Sequence, residues 1–405
     1  MSVENLPRTI WWEDDTVRLI DQTRLPLQGD VLVCNTYQGL ITAIKSLAVR
    51  GAPALGVAGA YAMALWSQVE GRFIEDVEEY KTRFSQVAEE IAHARPTAIN
   101  LSWGVGQIAD LIKDDRRMSA EELHESIVAR ANEMAEQDEA ANRALGAFGA
   151  ELFGEGTKFL THCNTGSLAT VFFGTALGVI FTAFEQGKVE HVWVDETRPL
   201  NQGGRLTAWE LLQVGIPSAL ITDSMAADVM AKGWVDAVIL GADRICSNGD
   251  VVNKIGTYGL SVLAKEHDIP FYVAAPTTSV DTSLACGADV EIEERDPREI
   301  EGVTVTGKLD PSDSTVAHAL DALTAQGSCE LPMSKGHHMT IDRKGGGYSF
   351  DAWFRTTPPQ VMSFNPAFDM TPAKNVTAYI TELGVIHNET GDPSKAIRDL
   401  IEGKE

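Results

Sequence analysis

From about Lys158 onward the chain alternates short apolar runs with longer amphipathic ones, and this rhythm constrains the fold more than any other feature. KFLTHC, HVWVDE, SALIT, AVILGAD and FYVAAP read as strands, and a plausible helix follows each of the first four. Continuously apolar strands separated by helices imply a parallel sheet with both faces covered. The preceding region has a different period. TIWW, EDD and TVRLIDQTRLP read as strand, turn and strand, with β-branched and aromatic residues dominating. Thr36–Val49, Ile74–His93 and Ala120–Arg143 then carry apolar residues at three- and four-residue spacing. The expected fold class is α/β. A small N-terminal β-hairpin and helical domain, residues 1–147, precedes a Rossmann-like doubly wound parallel-sheet domain, residues 148–405.

One stretch interrupts the alternation. Between about Gly302 and Gln360 the chain is rich in turn residues and reads as an insertion. A short helix is expected at Ser314–Ala325, and a hairpin at Met339–Phe354 turning through Gly345–Gly347.

Composition narrows the function classes. A formal charge of −25 repels nucleic-acid phosphates, so nucleic acid is not an expected partner. No apolar run reaches the uninterrupted ~18–20 residues of a membrane span. The N-terminus has no basic stretch leading into an apolar one, so no secretory signal is visible. Cys34, Cys163, Cys246, Cys286 and Cys329 are odd in number and scattered, which suits free thiols in the cytoplasm.

In open α/β sheets ligands bind beyond the carboxyl ends of the strands. Those ends carry Cys163, Asp195–Glu196, Asp223, Asp243 and Pro276–Thr277. Cys163 closes a strand just ahead of a helix start, where backbone N–H groups favour a thiolate or a nearby anion. Position alone leaves it equally a buried structural cysteine. Asp243 ends AVILGAD, where desolvation would raise its pKa and make it a general acid, unless it caps the next loop or pairs with Arg244.

The next segment, SNGDVVNKIGTYGLSVLAKEH, reads as a tight turn leading into a helix whose first turns hold Asn253 and Lys254. A lysine at a helix start is electrostatically awkward unless an anion sits there too. Arg50-Gly51-Ala52-Pro53 breaks a helical pattern just ahead of an apolar helix, combining close backbone approach with a bidentate cation. Arg95 precedes a Pro-initiated segment in the same manner, and Arg198, Gln202 and Arg205 share a loop before another helix. No GxGxxG follows the first strand, and GxxxxGK[ST] and HExxH do not occur.

Taken together, RGAPALGVAGAYAMAL, RPTAINLSWG, THCNTGSLAT, DETRPLNQGGRLTAWEL, GADRICSNGDVVNKIGTYGLSVLAKEHDIPFYVAAPTTSVD, EIEERDPREI and NPAFDMTP strongly resemble the methylthioribose-1-phosphate isomerase family, in consistent order from about residue 40 to 385. The same fold serves regulatory subunits of a eukaryotic translation-initiation exchange factor, ribose-1,5-bisphosphate isomerases and 5-deoxyribose-1-phosphate isomerases. The resemblance implies a catalytic pair at Cys163 and Asp243, and substrate contacts at Arg50, Gly51, Ala52, Arg95, Gln202, Asn253 and Lys254. It also implies a sugar-phosphate substrate, a homodimer, and no metal or organic cofactor.

The implied reaction converts 5-methylthioribose 1-phosphate to 5-methylthioribulose 1-phosphate in methionine salvage. Asp243 would protonate the ring oxygen, and Cys163 would act either as base in a phosphoenolate route or as charge stabiliser in a hydride shift. Between Glu294-Arg295-Asp296 and Asn365-Pro366 the roughly seventy residues exceed the family's usual length. That departure keeps another pentose 1-phosphate open as substrate, and a noncatalytic regulatory role as a remoter reading.

Overall fold

The computed structural model describes residues 2–95, 98–113, 119–309, 312, 314–325, 327–332, 337–344 and 347–403. Two compact units account for the chain: residues 1–197, 201–292 and 368–405 form the first, and residues 198–200 with 293–367 the second.

The first unit begins with the expected hairpin. Ile10–Glu13 pairs antiparallel with Thr16–Ile20, and Val31–Cys34 adds a third strand. Asp14 and Asp15 make the turn with φ of 51° and 57°, the left-handed backbone that matches strand twist in two-residue hairpins. Helices Tyr37–Lys45, Ala52–Val69, Val77–Ala92, Ile99–Lys113 and Ala120–Ala150 follow. Side chains set three of the starts: Thr36 accepts from Gly39 N–H, Asp76 accepts from Glu79 N–H, and Ser119 forms a capping box with Glu122.

The Ala52–Val69 helix is apolar nearly all round, because helices cover it on several sides. Its small residues allow near backbone contact with Ile99–Lys113. A Cβ on Gly59 would lie 2.6 Å from the Leu101 carbonyl oxygen, and one on Gly104 would lie 2.7 Å from the Gly56 carbonyl carbon. That approach fixes the starts of both helices close together.

The sheet of the first unit has seven strands. In spatial order they are Gly384–His387, Ala378–Thr381, Phe271–Ala274, Ala237–Leu240, Thr157–Thr161, Val189–Asp195 and Ser218–Ile221. All neighbours are parallel except the first two. Thr157–Thr161 comes first in sequence among them and lies inside the sheet. The next two strands extend to one side of it, and the later ones extend to the other. The topological switch point therefore lies between Thr157–Thr161 and Ala237–Leu240, where the two strands pair through Leu160 and Val238. Phe159, Val192, Ile239 and Ile380 pack on one face, and Leu160, Val238, Leu240 and Val273 on the other.

One expected helix start is a strand. Asn253 and Lys254 lie on Val251–Lys254, which pairs antiparallel with Arg244–Cys246 through the Asn248–Gly249 turn and with Phe368–Thr371 on its other side. The β-branched pair Val251-Val252 suits a pleated, covered strand. Gly256, with φ of 105°, breaks the strand, and the helix runs from Thr257 to Glu266.

The second unit holds a four-stranded antiparallel sheet ordered Gly302–Leu309, Gly347–Arg355, His338–Lys344 and Cys329–Pro332. The expected short helix is Ser314–Leu323. Of the expected turn at 345–347, residues 345 and 346 lie outside the described residues. Trp353 is its buried anchor, with Arg298 and Arg355 over its ring at 5.0 and 5.3 Å.

Candidate active site

Cys163 and Asp243 leave the carboxyl ends of the two strands that flank the switch point, Thr157–Thr161 and Ala237–Leu240. Cys163 is buried and sits at φ 64°, a left-handed conformation that L-residues adopt only when held. Thr197 and Thr207 hold it. The Cys163 N–H donates to Thr197 Oγ1 at 2.8 Å, and Thr207 Oγ1 donates to the Cys163 carbonyl at 2.6 Å. Burial pushes the thiol above its ordinary range; Lys254 and Arg50 draw it down, and Asp243 pushes it up.

Arg50 connects the helical region to this strand end. Its guanidinium is buried and donates to Gln22 Oε1 at 2.8 Å, to the Asn164 carbonyl at 3.0 Å and to Asn164 Oδ1. Burial works against its charge, while Cys163, Glu210 and Asp243 favour it and Arg95 opposes it. Asn164 is itself aimed by Glu210, which accepts from Asn164 Nδ2 at 2.8 Å and from Ser167 N–H at 2.7 Å. Glu210 is fully buried, and desolvation raises it to about 7 against the pull of Asn164 and Arg50. Gly51, at φ 98°, caps the next helix beside the Ala169 backbone, where a Cβ has no room.

A cleft opens in the first unit. Its wall includes Gly51, Ala52, Arg95, Asn100, Asp243 and Phe368. Asp243 is half-buried and anchored by its N–H to the Val252 carbonyl at 3.1 Å. Lys254 is buried with its ammonium 4.7 Å from the centre of the Phe368 ring, a cation–π contact at the cleft wall. Asn253 donates to Thr257 Oγ1 at 2.9 Å. Gln202 is buried, and its Oε1 has no hydrogen-bond partner among the described residues. Cys163, Gln202, Asn253 and Lys254 do not themselves line the cleft.

The arrangement thus gathers Gly51, Ala52, Arg95 and Asp243 on one wall, and puts Arg50, Cys163 and Lys254 within electrostatic reach of them. It does not gather every expected group. Asp195 is buried against His162 Nδ1 at 3.0 Å, and Asp223 accepts the Thr197 N–H at 2.7 Å. Both strand-end carboxylates support the Cys163 loop from within. Arg205 spends its charge on the Gln22 and Leu25 carbonyls, and Arg198 belongs to the second unit, where it donates to the Pro199, Glu299 and Ile300 carbonyls. Pro96 and Thr97 lie outside the described residues.

Sequence reading missed His162, Asn164, Glu210 and Gln22. His162 faces Asp195 with Nδ1 and the Ile255 carbonyl with Nε2 at 2.9 Å. Burial opposes a charge on the ring and the hydrogen bond to Asp195 favours it, for a net rise in the His162 pKa, while burial also raises Asp195, so the pair holds its proton tightly between them. His162, Asp195 and Asp223 are the one metal-compatible grouping among the described residues, with ligand atoms within 4.8 Å of one another. Through its Nδ1 and Nε2 contacts the His162 ring ties the Cys163 strand to the Ile255–Gly256 turn after Lys254.

The initiation factor 2 subunit family matches residues 48–388. The methylthioribose-1-phosphate isomerase of Heliobacterium modesticaldum is 44% identical over 378 residues, 93% of this chain and 95% of that protein. The 5-deoxyribose 1-phosphate isomerase of Moorella thermoacetica is 42% identical over 377 residues, 93% of each. A crystal structure of 5-methylthioribose 1-phosphate isomerase from Pyrococcus horikoshii matches with a TM-score of 0.79 at 36% identity, covering 100% of this chain and 99% of that one. The chain belongs to the initiation factor 2 subunit family.

Proposed function

We propose that this protein is an aldose–ketose isomerase converting 5-methylthioribose 1-phosphate to 5-methylthioribulose 1-phosphate in methionine salvage. The observation that carries the reading is the placement of Cys163 and Asp243 at adjacent strand ends, with buried Arg50 in the field of both. The named isomerase relatives support the substrate class. In this reading Arg50, Gly51, Ala52, Arg95, Gln202, Asn253 and Lys254 bind the sugar phosphate.

An aldose 1-phosphate has its anomeric carbon locked in an ester, so the ring must open first. Protonated Asp243 gives its proton to the ring oxygen as the bond from C1 to that oxygen breaks. The hydrogen on C2 then moves with its electron pair to C1, and the C2 hydroxyl returns a proton to Asp243 as the ketone forms. Atoms and charge balance, and the acid is regenerated. In this hydride route Cys163 stabilises charge at the reacting carbons, the role that burial and the raised pKa of its thiol favour over that of a base.

The test is turnover of the sugar phosphate deuterated at C2. The product should keep deuterium at C1, and Asp243→Asn should lose about 10²–10⁴-fold in kcat, the usual worth of a general acid. Wild-type rates in that variant would sink the role given to Asp243, and washout of deuterium would sink the hydride route.

A second reading, 5-deoxyribose 1-phosphate as preferred substrate, is favoured by the Moorella relative. The ratio of kcat/KM between the two sugars decides it. The same proposal includes a homodimer, as the resemblance implies, and a cytoplasmic location, supported by five free cysteines and by the absence, among the described residues, of a helix long and apolar enough to cross a membrane.

A further inference from the structure

We infer that Asn100 is a substrate-binding residue whose side-chain amide donates to a phosphoryl oxygen of the bound sugar phosphate. This rests on the reading of the cleft as a sugar 1-phosphate site and adds a ligand to it. Asn100 lines the cleft and is only 2% exposed. Its Nδ2 is buried and has no hydrogen-bond partner among the described residues. A buried NH2 group left unpaired is costly, and one on a cleft wall calls for a partner that a bound molecule can supply.

The surroundings identify the missing acceptor. Asn100 stands in the first turn of Ile99–Lys113, a helix of 15 residues whose positive end attracts an anion. Ala98, Ile99 and Arg95 share its part of the cleft wall. The facing helix also starts at the cleft, with Gly51 and Ala52 on the wall. The close crossing of the two helices fixes Asn100 in place, since a Cβ on Gly56 would sit 3.4 Å from the Asn100 carbonyl oxygen. Two helix starts, the Arg95 cation and a neutral amide donor suit a multiply charged oxyanion. The carboxyl groups on the wall, Asp243 and Glu291, suit sugar hydroxyls and, when Asp243 carries its proton, the ring oxygen, rather than an oxyanion.

The experiment titrates inorganic phosphate and 5-methylthioribose 1-phosphate calorimetrically into the wild type, Asn100→Ala and Asn100→Asp, and follows thermal unfolding of each without ligand. Asn100→Ala should weaken both ligands by about 10- to 100-fold, the loss of one hydrogen bond to a charged group. Asn100→Asp, of the same shape, should weaken them further by repulsion. In turnover the loss should appear in KM, with kcat nearly kept.

The ligand-free midpoint of Asn100→Ala should equal or exceed that of the wild type, because alanine removes the unpaired donor. Affinity for phosphate within twofold of wild type in Asn100→Ala overturns the assignment. A ligand-free midpoint lowered by several degrees in Asn100→Ala also overturns it, because the amide would then be satisfied within the fold. Phosphate binding needs no turnover, so the two readings fail separately. A wild type that binds phosphate yet isomerises no pentose phosphate refutes the reaction and leaves Asn100 standing; one that binds neither ligand refutes both.

Discussion

Replacing Gly51 by alanine should be among the most damaging single-methyl changes in this chain. Gly51 has φ 98° and ψ 135°, a backbone region that costs an L-residue about 1–3 kcal/mol. A Cβ there would sit 2.6 Å from the Ala169 Cα and 2.7 Å from its carbonyl carbon, where ordinary contact begins near 3.4 Å. Backbone, not a flexible side chain, must retreat. The segment that would retreat is pinned: Thr9 Oγ1 donates to the Ser167 carbonyl, Gln22 Nε2 donates to the Leu168 carbonyl, and Glu210 accepts the Ser167 N–H, each at 2.7 Å. Losing two of these at roughly 1 kcal/mol each brings the total to about 3–5 kcal/mol. That is a large share of the ~5–15 kcal/mol that holds a typical domain together. The same displacement pulls Arg50 away from Asn164, so kcat/KM should fall in whatever protein folds. Urea denaturation followed by tryptophan fluorescence reads the first effect and steady-state turnover the second. Gly106→Ala is the control: it lies within the Ile99–Lys113 helix with nothing within 4 Å of its would-be Cβ, and should stabilise by up to about 1 kcal/mol. A loss under about 1 kcal/mol in Gly51→Ala, with turnover intact, would refute the reasoning.

Two further outcomes follow from the buried ionisable groups. Glu210 titrates near 7 in the fold against 4.5 for the ordinary group, so between those values the folded state holds a proton that the unfolded state has released. Stability from this group is full below pH 4.5 and is lost as pH rises towards 7, by about 3 kcal/mol in all. Glu210→Gln should remove that slope, so its stability measured against wild type should improve steadily across the window; parallel curves would contradict the assignment. Cys163, buried and raised above 9.0, should alkylate slowly with iodoacetamide at pH 7, with a rate still climbing at pH 9, while the partly exposed Cys286 and Cys329 label first. A Cys163 rate that levels off below pH 8 in peptide mass mapping would mean a thiolate and restore the base role.

What could be read from the sequence, and what could not, divides along the range of the interactions. Apolar runs announced the strands, so Cys163 and Asp243 could be placed at strand ends from local pattern alone. That the two strands are neighbours could not be read, because strand order depends on crossovers that leave no mark on the runs themselves. Lys254 was misplaced for a related reason. VVNK followed by a helical pattern looks like a helix start, and only pairing with Phe368–Thr371, far along the chain, makes it a strand. The strand-end carboxylates erred in the opposite direction. Asp195 and Asp223 have the position of site residues, yet His162 and the Thr197 N–H claim them from inside. Glu210 was the hardest to see. In TAWELL it sits where an amphipathic helix normally shows a solvated glutamate, and what buries it is Asn164, 46 residues earlier. A residue that meets substrate must stand at a strand end or helix start, which are local features. A residue that aims another needs only a partner, and that partner can lie anywhere in the chain. Supporting groups such as Glu210 and His162 therefore become visible only once the chain is folded.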